Sequence, residues 1–440
     1  MTTPAAAADR GTTRGDGGTA VPGTVVPARL AYVALFVAVG ASAPYLPVYY
    51  DSLGIDVRLI PLLAALMAGA GLFGSPLWGA AADRFPHSRL LLPVAAVVAA
   101  IAAASVWLVG WPALIVFVIA LGLGLSGIGP ILDARAVEAF GPDRARYGRL
   151  RMWGSASFIV ASIGVGVLVE RTSPSSLFLV YVPALLATAA IGLALRPRGK
   201  AHVGAPFRRL DAIGSVVRNP VLGPFLLAVL ISWAASYAIN SYLSIYLEQI
   251  GASATLIGIA WAVGACVEVP LMLLFPTLSR RFGIERLILV GALALVARAF
   301  LVATLKDPVL VTATMALHGV AFALLTVGSV AFVAGHTAHG TAATAQGVLT
   351  ATSYSLATVI GPTAAGIAAS FVSLPIVFAI AGVTSVVGVV ALGRVLLGRR
   401  AGLKPAPLDV AGEAAWQSST SGGMTGDLSP DPGPGSVPGI

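Results

Sequence analysis

Charge is scarce in this chain: Asp, Glu, Lys and Arg make up only 10% of its 440 residues, against 57% apolar ones. An ordinary soluble domain carries about 25% charged residues, so a water-soluble enzyme or binding module is excluded. A mean hydropathy of +0.91 points the same way. Cysteine occurs once, at Cys266, which rules out an intramolecular disulfide framework and a cysteine metal cluster. No Walker loop is present, so ATP is not the expected energy source. A hydrolase would need an aligned Ser/His/acid set and a metal enzyme would need clustered ligands. Neither is visible, since His87, His202, His336 and His339 lie between apolar runs without a third ligand. The expectation is a protein that is not an enzyme and holds no metal or cofactor.

What the chain does contain is a succession of apolar runs of about 20 residues, each matching a hydrocarbon layer roughly 30 Å thick at 1.5 Å rise per residue. Spans of that length satisfy their own backbone only as helices. The reading is an all-α integral membrane protein of twelve transmembrane helices, arranged as two six-helix bundles. Residues 1–27 are expected to be a cytoplasmic tail, 28–195 the first bundle, 196–219 a cytoplasmic linker, 220–397 the second bundle and 398–440 a second tail. The first 27 residues are rich in Ala, Gly and Thr and lack a short apolar core with a cleavage site, so a flexible tail is expected there and not a signal peptide.

The formal net charge of +9 invites a nucleic-acid reading, but no basic face is paired with an aromatic platform. The distribution of the charge explains it better. With the amino terminus inside, Arg84, Arg89, Arg144, Arg146, Arg198, Lys200, Arg208, Arg209, Arg280, Arg281, Arg286, Arg399 and Arg400 fall on the cytoplasmic side, whereas the opposite side receives Arg58, Arg171 and Lys306. This is the positive-inside bias, and an even number of spans then puts both termini in the cytoplasm. Arginine far outnumbers lysine in an alanine-rich chain, which suggests a high-GC bacterial source and the cell membrane as the location.

The long polar stretch Arg196 to Asn219 divides the spans evenly, and a short loop recurs at the same place in each half. It reads Asp83-Arg84-Phe85 followed by Arg89-Leu90 after the second span, and Arg280-Arg281-Phe282 followed by Arg286-Leu287 after the eighth. Weak internal symmetry of this kind is expected of two related bundles rocking about a central site. Asp83, Arg84 and Arg281 are therefore candidate gating residues. Alternatively, any tight cytoplasmic loop gathers arginines.

Function is carried by ionisable residues inside the spans: Asp133, Arg151, Glu268, Arg298 and His318. A charge at the bilayer centre costs ~2.5 kcal/mol or more, so such groups face a partner, water or cargo. At about 1.5 Å per residue from the nearest loop, Glu268, Arg298 and His318 all lie roughly 15 to 18 Å deep. They form the candidate proton-coupling set, in which burial raises the proton affinity of Glu268 and an approaching Arg298 lowers it. A structural acid-arginine pair is the alternative. Asp133 and Arg151 could pair with each other, or bind cargo, with the arginine offering a fork to a carboxylate and the acid accepting from hydroxyls or amines. Tyr237 and Asn240, with Tyr242 and Tyr45, offer rings and hydrogen bonds to a small solute, or serve as helix glue.

Together the Asp83-Arg84 loop and these motifs resemble the major facilitator superfamily. Tyr147-Gly148-Arg149-Leu150-Arg151-Met152-Trp153-Gly154 is similar to the branch of that family holding lactose permease and the phenylpropionate permease-like proteins. Pro44 to Pro47, Pro130 to Asp133, Glu268 to Pro270 and Leu317 to Gly319 agree with it, so the resemblance covers about residues 30–397. It implies the major facilitator fold with pseudo-symmetric bundles, a sugar-binding role for Asp133 and Arg151, and a coupling role for Arg298 and His318. The chain departs from the lactose permease pattern at Ala321, where that pattern has an acid, and at Tyr354, where it has a lysine. It is closer to the phenylpropionate-like and nucleoside-permease-like relatives, which share an acid at the position of Glu268. The drug-antiporter branch carries a Gly-Pro-Gly type motif in the fifth span, and Arg149 to Val169 contains no proline.

The expectation is therefore a secondary active transporter, functional as a monomer in the lipid bilayer. It performs proton-coupled symport of a small organic solute: an aromatic or other monocarboxylate, a sugar or a nucleoside. A proton-coupled exporter and a non-transporting membrane sensor stay open beside it.

Overall fold

The computed structural model describes the backbone of residues 22–85, 87–140, 144–195, 210–337 and 341–398. Among the described residues every regular element is helical. The first half contains α1 (Pro22–Ser42), α2 (Leu46–Ser52), α3 (Ile60–Arg84), α4 (Leu91–Leu108), α5 (Leu114–Phe140), α6 (Arg144–Arg171) and α7 (Phe178–Gly192). A short helix α8 (Leu210–Val217) leads into the second half, formed by α9 (Leu222–Gln249), α10 (Ala254–Phe282), α11 (Ile284–Thr304), α12 (Pro308–Ala313), α13 (Met315–Gly335), α14 (Ala342–Thr350), α15 (Ala357–Ala369) and α16 (Leu374–Leu397).

Eleven of the resulting stretches are long and apolar enough to cross a membrane as they stand. The twelfth span expected from the sequence is continuous as helix but not regular: α14 passes into α15 through a π-helical stretch, Ala351–Leu356. Two further spans are jointed. Pro44 lies in the break between α1 and α2 and Pro47 in the first turn of α2, and α12 hands over to α13 at Thr314. The boundaries differ slightly from the expected ones. Helix α1 starts at Pro22, inside the stretch read as a tail, and α8 occupies part of the stretch read as a linker.

Helices surrounded by lipid gain nothing by hiding apolar side chains from one another, so close approach and van der Waals contact decide which faces pair. Small residues make that approach. Helix α4 turns Ala95, Ala96, Ala99, Ala100, Ala102 and Ala103 inward. A Cβ on Gly122 of α5 would lie 2.1 Å from the Met67 carbonyl oxygen of α3, and one on Gly319 of α13 would lie 2.4 Å from the Gly264 oxygen of α10. The tight connection between α10 and α11 depends on Gly283, whose φ of 85° most side chains would resist.

Two large apolar cores result, beside a small one of Phe275, Leu287 and Leu324. One belongs to the second half alone and centres on Phe225, Trp233, Leu295 and Leu325. The other fills the first half and continues into Ile239, Tyr242, Leu243, Leu247 and Ile257 of the second. The halves are therefore joined by apolar packing where α2 meets α9 and where α6 meets α10.

Candidate functional site

Arg298, on α11, is fully enclosed, with no exposed surface. One terminal nitrogen, Nη2, donates to Asn240 Oδ1 of α9 at 2.8 Å and approaches Met315 Sδ at 3.3 Å, while Nη1 lies 3.3 Å from His318 Nδ1 of α13. Its Nε is buried without a hydrogen-bond partner. A guanidinium taken out of water needs its donors answered, and here α9 supplies an amide and α13 a thioether and an imidazole, none of them carrying a negative charge. His318 in turn packs its ring 6.1 Å from Phe322, and its Cδ2 faces Gly264 of α10.

Asn240, expected as a cargo residue, thus has its side-chain oxygen committed to Arg298. Glu268 is half-buried on α10. Its backbone nitrogen would lie 3.1 Å from a Cβ at Gly319, so the Gly264–Gly319 crossing holds Glu268 and His318 on abutting stretches of two helices. Arg298 is bonded to Asn240, His318 and Met315, and Glu268 is not among its partners. Of the expected coupling set, the structure joins Arg298 to His318 and seats Glu268 on the neighbouring helix.

Beside this cluster lies a group of rings. Trp233 sits 5.8 Å from Tyr237, 5.4 Å edge-on to Phe322 and 6.3 Å from Tyr354, which lies in the π-helical stretch. Tyr354 also reaches Thr326, with 3.4 Å between hydroxyls. Ala321, where an acid would stand in the lactose permease pattern, is wholly buried in the same core as Trp233.

In the first half, Asp133 is half-buried on α5 and its Oδ1 accepts from the Tyr32 hydroxyl of α1. Tyr32 is a partner of Asp133 that the sequence alone did not point to. The available signal was a tyrosine inside an apolar span, whose hydroxyl must find an acceptor once buried. The Arg151 side chain, expected opposite Asp133, lies outside the described residues. Nearer the loops, Arg135 is buried and its Nη2 donates to the Ser88 carbonyl at 3.3 Å.

The repeated loops show a repeated contact. Arg84 lies 5.8 Å from the centre of the Phe85 ring and Arg281 lies 5.3 Å from that of Phe282, a cation–π arrangement in each half. Both arginines are exposed; the side chain of Asp83 lies outside the described residues. At the opposite end, Tyr45 does not present its ring to a solute. It is fully buried, with its hydroxyl 2.5 Å from Ser162 O and 3.3 Å from Ala254 O. Tyr242 is also fully buried, its hydroxyl without a partner.

A multi-pass helical membrane protein with an enclosed arginine, a histidine and a carboxylate on three adjoining spans has the architecture of a transporter. The chain belongs to the MFS_1 like family, whose sequence profile matches residues 28–380. It is 31% identical over 283 residues to a maltose permease of Geobacillus stearothermophilus, spanning 64% of this chain and 71% of that protein. It is 28% identical over 280 residues to the Probable 3-phenylpropionic acid transporter of Escherichia coli (strain K12), spanning 61% and 71%. An uncharacterized transporter of Bacillus subtilis (strain 168), YwbF, shares 26% identity over 81% of this chain and 90% of its own length. In three dimensions the chain superposes on the crystal structure of the nucleoside transporter NupG (D323A mutant) with a TM-score of 0.76 at 18% identity, covering 84% of this chain and 99% of that one. That likeness establishes the fold.

Proposed function

We infer that the protein performs proton-coupled symport of a small organic solute by alternating access, as a monomer in the cell membrane with both termini in the cytoplasm. The observation that carries this reading is the enclosed Arg298, bonded to Asn240 and His318 with Glu268 on the adjoining helix. A buried cation whose bonded partners are a neutral amide, a thioether and an imidazole responds strongly to any proton or anion that arrives beside it. Glu268 is the proton carrier in this reading. Its affinity for a proton rises when lipid or protein closes around it and falls when the Arg298 cluster shifts toward it. His318 hands charge between the two.

Asp133, Arg151, Tyr237 and Asn240 contact the solute. Asn240 does so by exchanging its bond to Arg298 for one to the cargo, which ties binding to the coupling set. Asp83, Arg84 and Arg281 gate the cytoplasmic end. The named relatives suggest the solutes to try: maltose for a sugar, 3-phenylpropionate for an aromatic monocarboxylate, and a nucleoside.

The test is proton flux in liposomes holding purified protein, with each solute added in turn to the parent and to Glu268→Gln. External alkalinisation with one solute, lost in the variant, supports symport and names the cargo class. Acidification outside on solute exchange would replace symport by proton-coupled export. Absence of any solute-linked flux in the parent would leave facilitated diffusion or a sensor.

A further inference from the structure

Hydrogen bonds cross between the halves where α6 finishes and α10 begins. The backbone N–H of Thr255, in the first turn of α10, donates to Glu170 Oε2 of α6 at 3.0 Å. Ser253 caps α10 by accepting from the Leu256 N–H. Deeper in the interface the Tyr45 hydroxyl touches Ser162 O in its own half and Ala254 O in the other. Backbone contact makes these bonds reachable. A Cβ on Gly258 would stand 2.2 Å from Ser162 O, one on Gly166 would stand 2.7 Å from Ala254 O, and one on Gly366 of α15 would stand 2.8 Å from Arg58 O at the approach to α3. Tyr49 and Tyr50 share one apolar core there with Leu243, Leu247 and Phe378. This end of the molecule, opposite the arginine loops, is shut.

We propose that Glu170 is the latch that keeps it shut, acting on the N-terminus of α10, with Tyr45 as a buried second point of attachment. The first turn of a helix leaves its N–H groups unanswered and carries a partial positive charge, so a carboxylate from the other half is a fitting partner. Glu170 is exposed, so water replaces the bond readily when the halves part. That is the property a reversible closure requires. Packing alone would hold the glycine crossing without direction, whereas the carboxylate fixes which turn of α10 sits against α6. The geometry stands independently of the cargo, and only the role of the latch in a cycle rests on the transport reading.

The experiment is pulsed electron resonance distance measurement between nitroxides at Thr172 and Lys306, exposed positions on opposite halves at this end. It is made on full-length protein in nanodiscs with Cys266→Ser. The parent should show a dominant short-distance population. Glu170→Ala should move most of it to a longer distance. Glu170→Gln, whose amide oxygen still accepts one bond without charge, should fall between the two, and Tyr45→Phe should give a smaller shift of the same sign. A parental distribution in Glu170→Ala with an unchanged melting temperature would overturn the latch. If that variant is misfolded, parental distributions in both Glu170→Gln and Tyr45→Phe would overturn it equally. A parent that moves no solute would count against the transport reading and leave these distances readable.

Discussion

In the first half the embedded acid, Asp133, is half-buried and takes a hydroxyl from Tyr32, whereas in the second half the embedded cation, Arg298, is sealed on all sides among Asn240, His318 and Met315. The half-buried group keeps part of its hydration and can trade a tyrosine for a ligand at small cost. The sealed group has no such reserve, and each bond it loses must be replaced within the protein. In the proposed cycle, one half meets something that comes and goes and the other registers that it came.

The strongest way to break that contrast is to remove the sealed charge. Arg298→Gln should abolish coupled uptake, a loss of about 100-fold or more if two buried charge-assisted bonds of about 1.5 kcal/mol each go. Arg298→Lys should fail to restore it, because a lysine cannot fork between two helices. Uptake by Arg298→Lys at the parental rate would mean that charge alone matters and the bonded geometry does not.

Gly122→Ala in the first half and Gly319→Ala in the second test whether the contrast extends to packing. Each places a methyl against a backbone oxygen, and the two should cost alike, about 1–3 kcal/mol by the fall in thermal unfolding temperature in detergent. A markedly smaller cost for one would show that half to be the more yielding. Asn240→Ala leaves a sealed guanidinium short of an acceptor and should lower stability by about 1–3 kcal/mol, with coupling lost before solute exchange. Tyr32→Phe should cost less, about 0.5–1.5 kcal/mol, because the half-buried Asp133 can take water instead. Equal losses in those last two would erase the distinction between the halves.

Much of the architecture could be read from hydropathy, since a span of the right length has few alternatives in lipid. The Arg84-Phe85 and Arg281-Phe282 repeat was visible too, and the structure shows the same ring contact in both copies. The depth of Arg298 and His318 followed from counting residues, and they do meet. What could not be read was rotation about each helix axis. When every face is apolar, the sequence pattern does not say which side turns inward, so Asn240 read as a cargo residue while its oxygen answers Arg298, and Tyr45 read as a ring for cargo while its hydroxyl bridges the halves. The π-helical stretch was equally silent, because Ala351–Leu356 carries neither proline nor glycine to mark it.

That stretch also has a consequence for how the chain tolerates change in length. A π-turn amounts to one residue more than the α-helix needs, and each residue turns an α-helix by about 100°. Everything beyond Leu356 is therefore indexed by that surplus. Gly361 faces Ala234 and Gly366 faces Arg58 only because the extra residue is accommodated upstream. Forcing that stretch into regular α-geometry at its present length would turn everything beyond it by about 100° and swing both glycines off their crossings, whereas deleting one residue between Ala351 and Leu356 would regularise the helix and keep them in place. The irregularity absorbs a surplus residue, so a variant one residue shorter within Ala351–Leu356 should assemble like the parent, whereas a one-residue deletion in the regular helix beyond Leu356 should assemble worse.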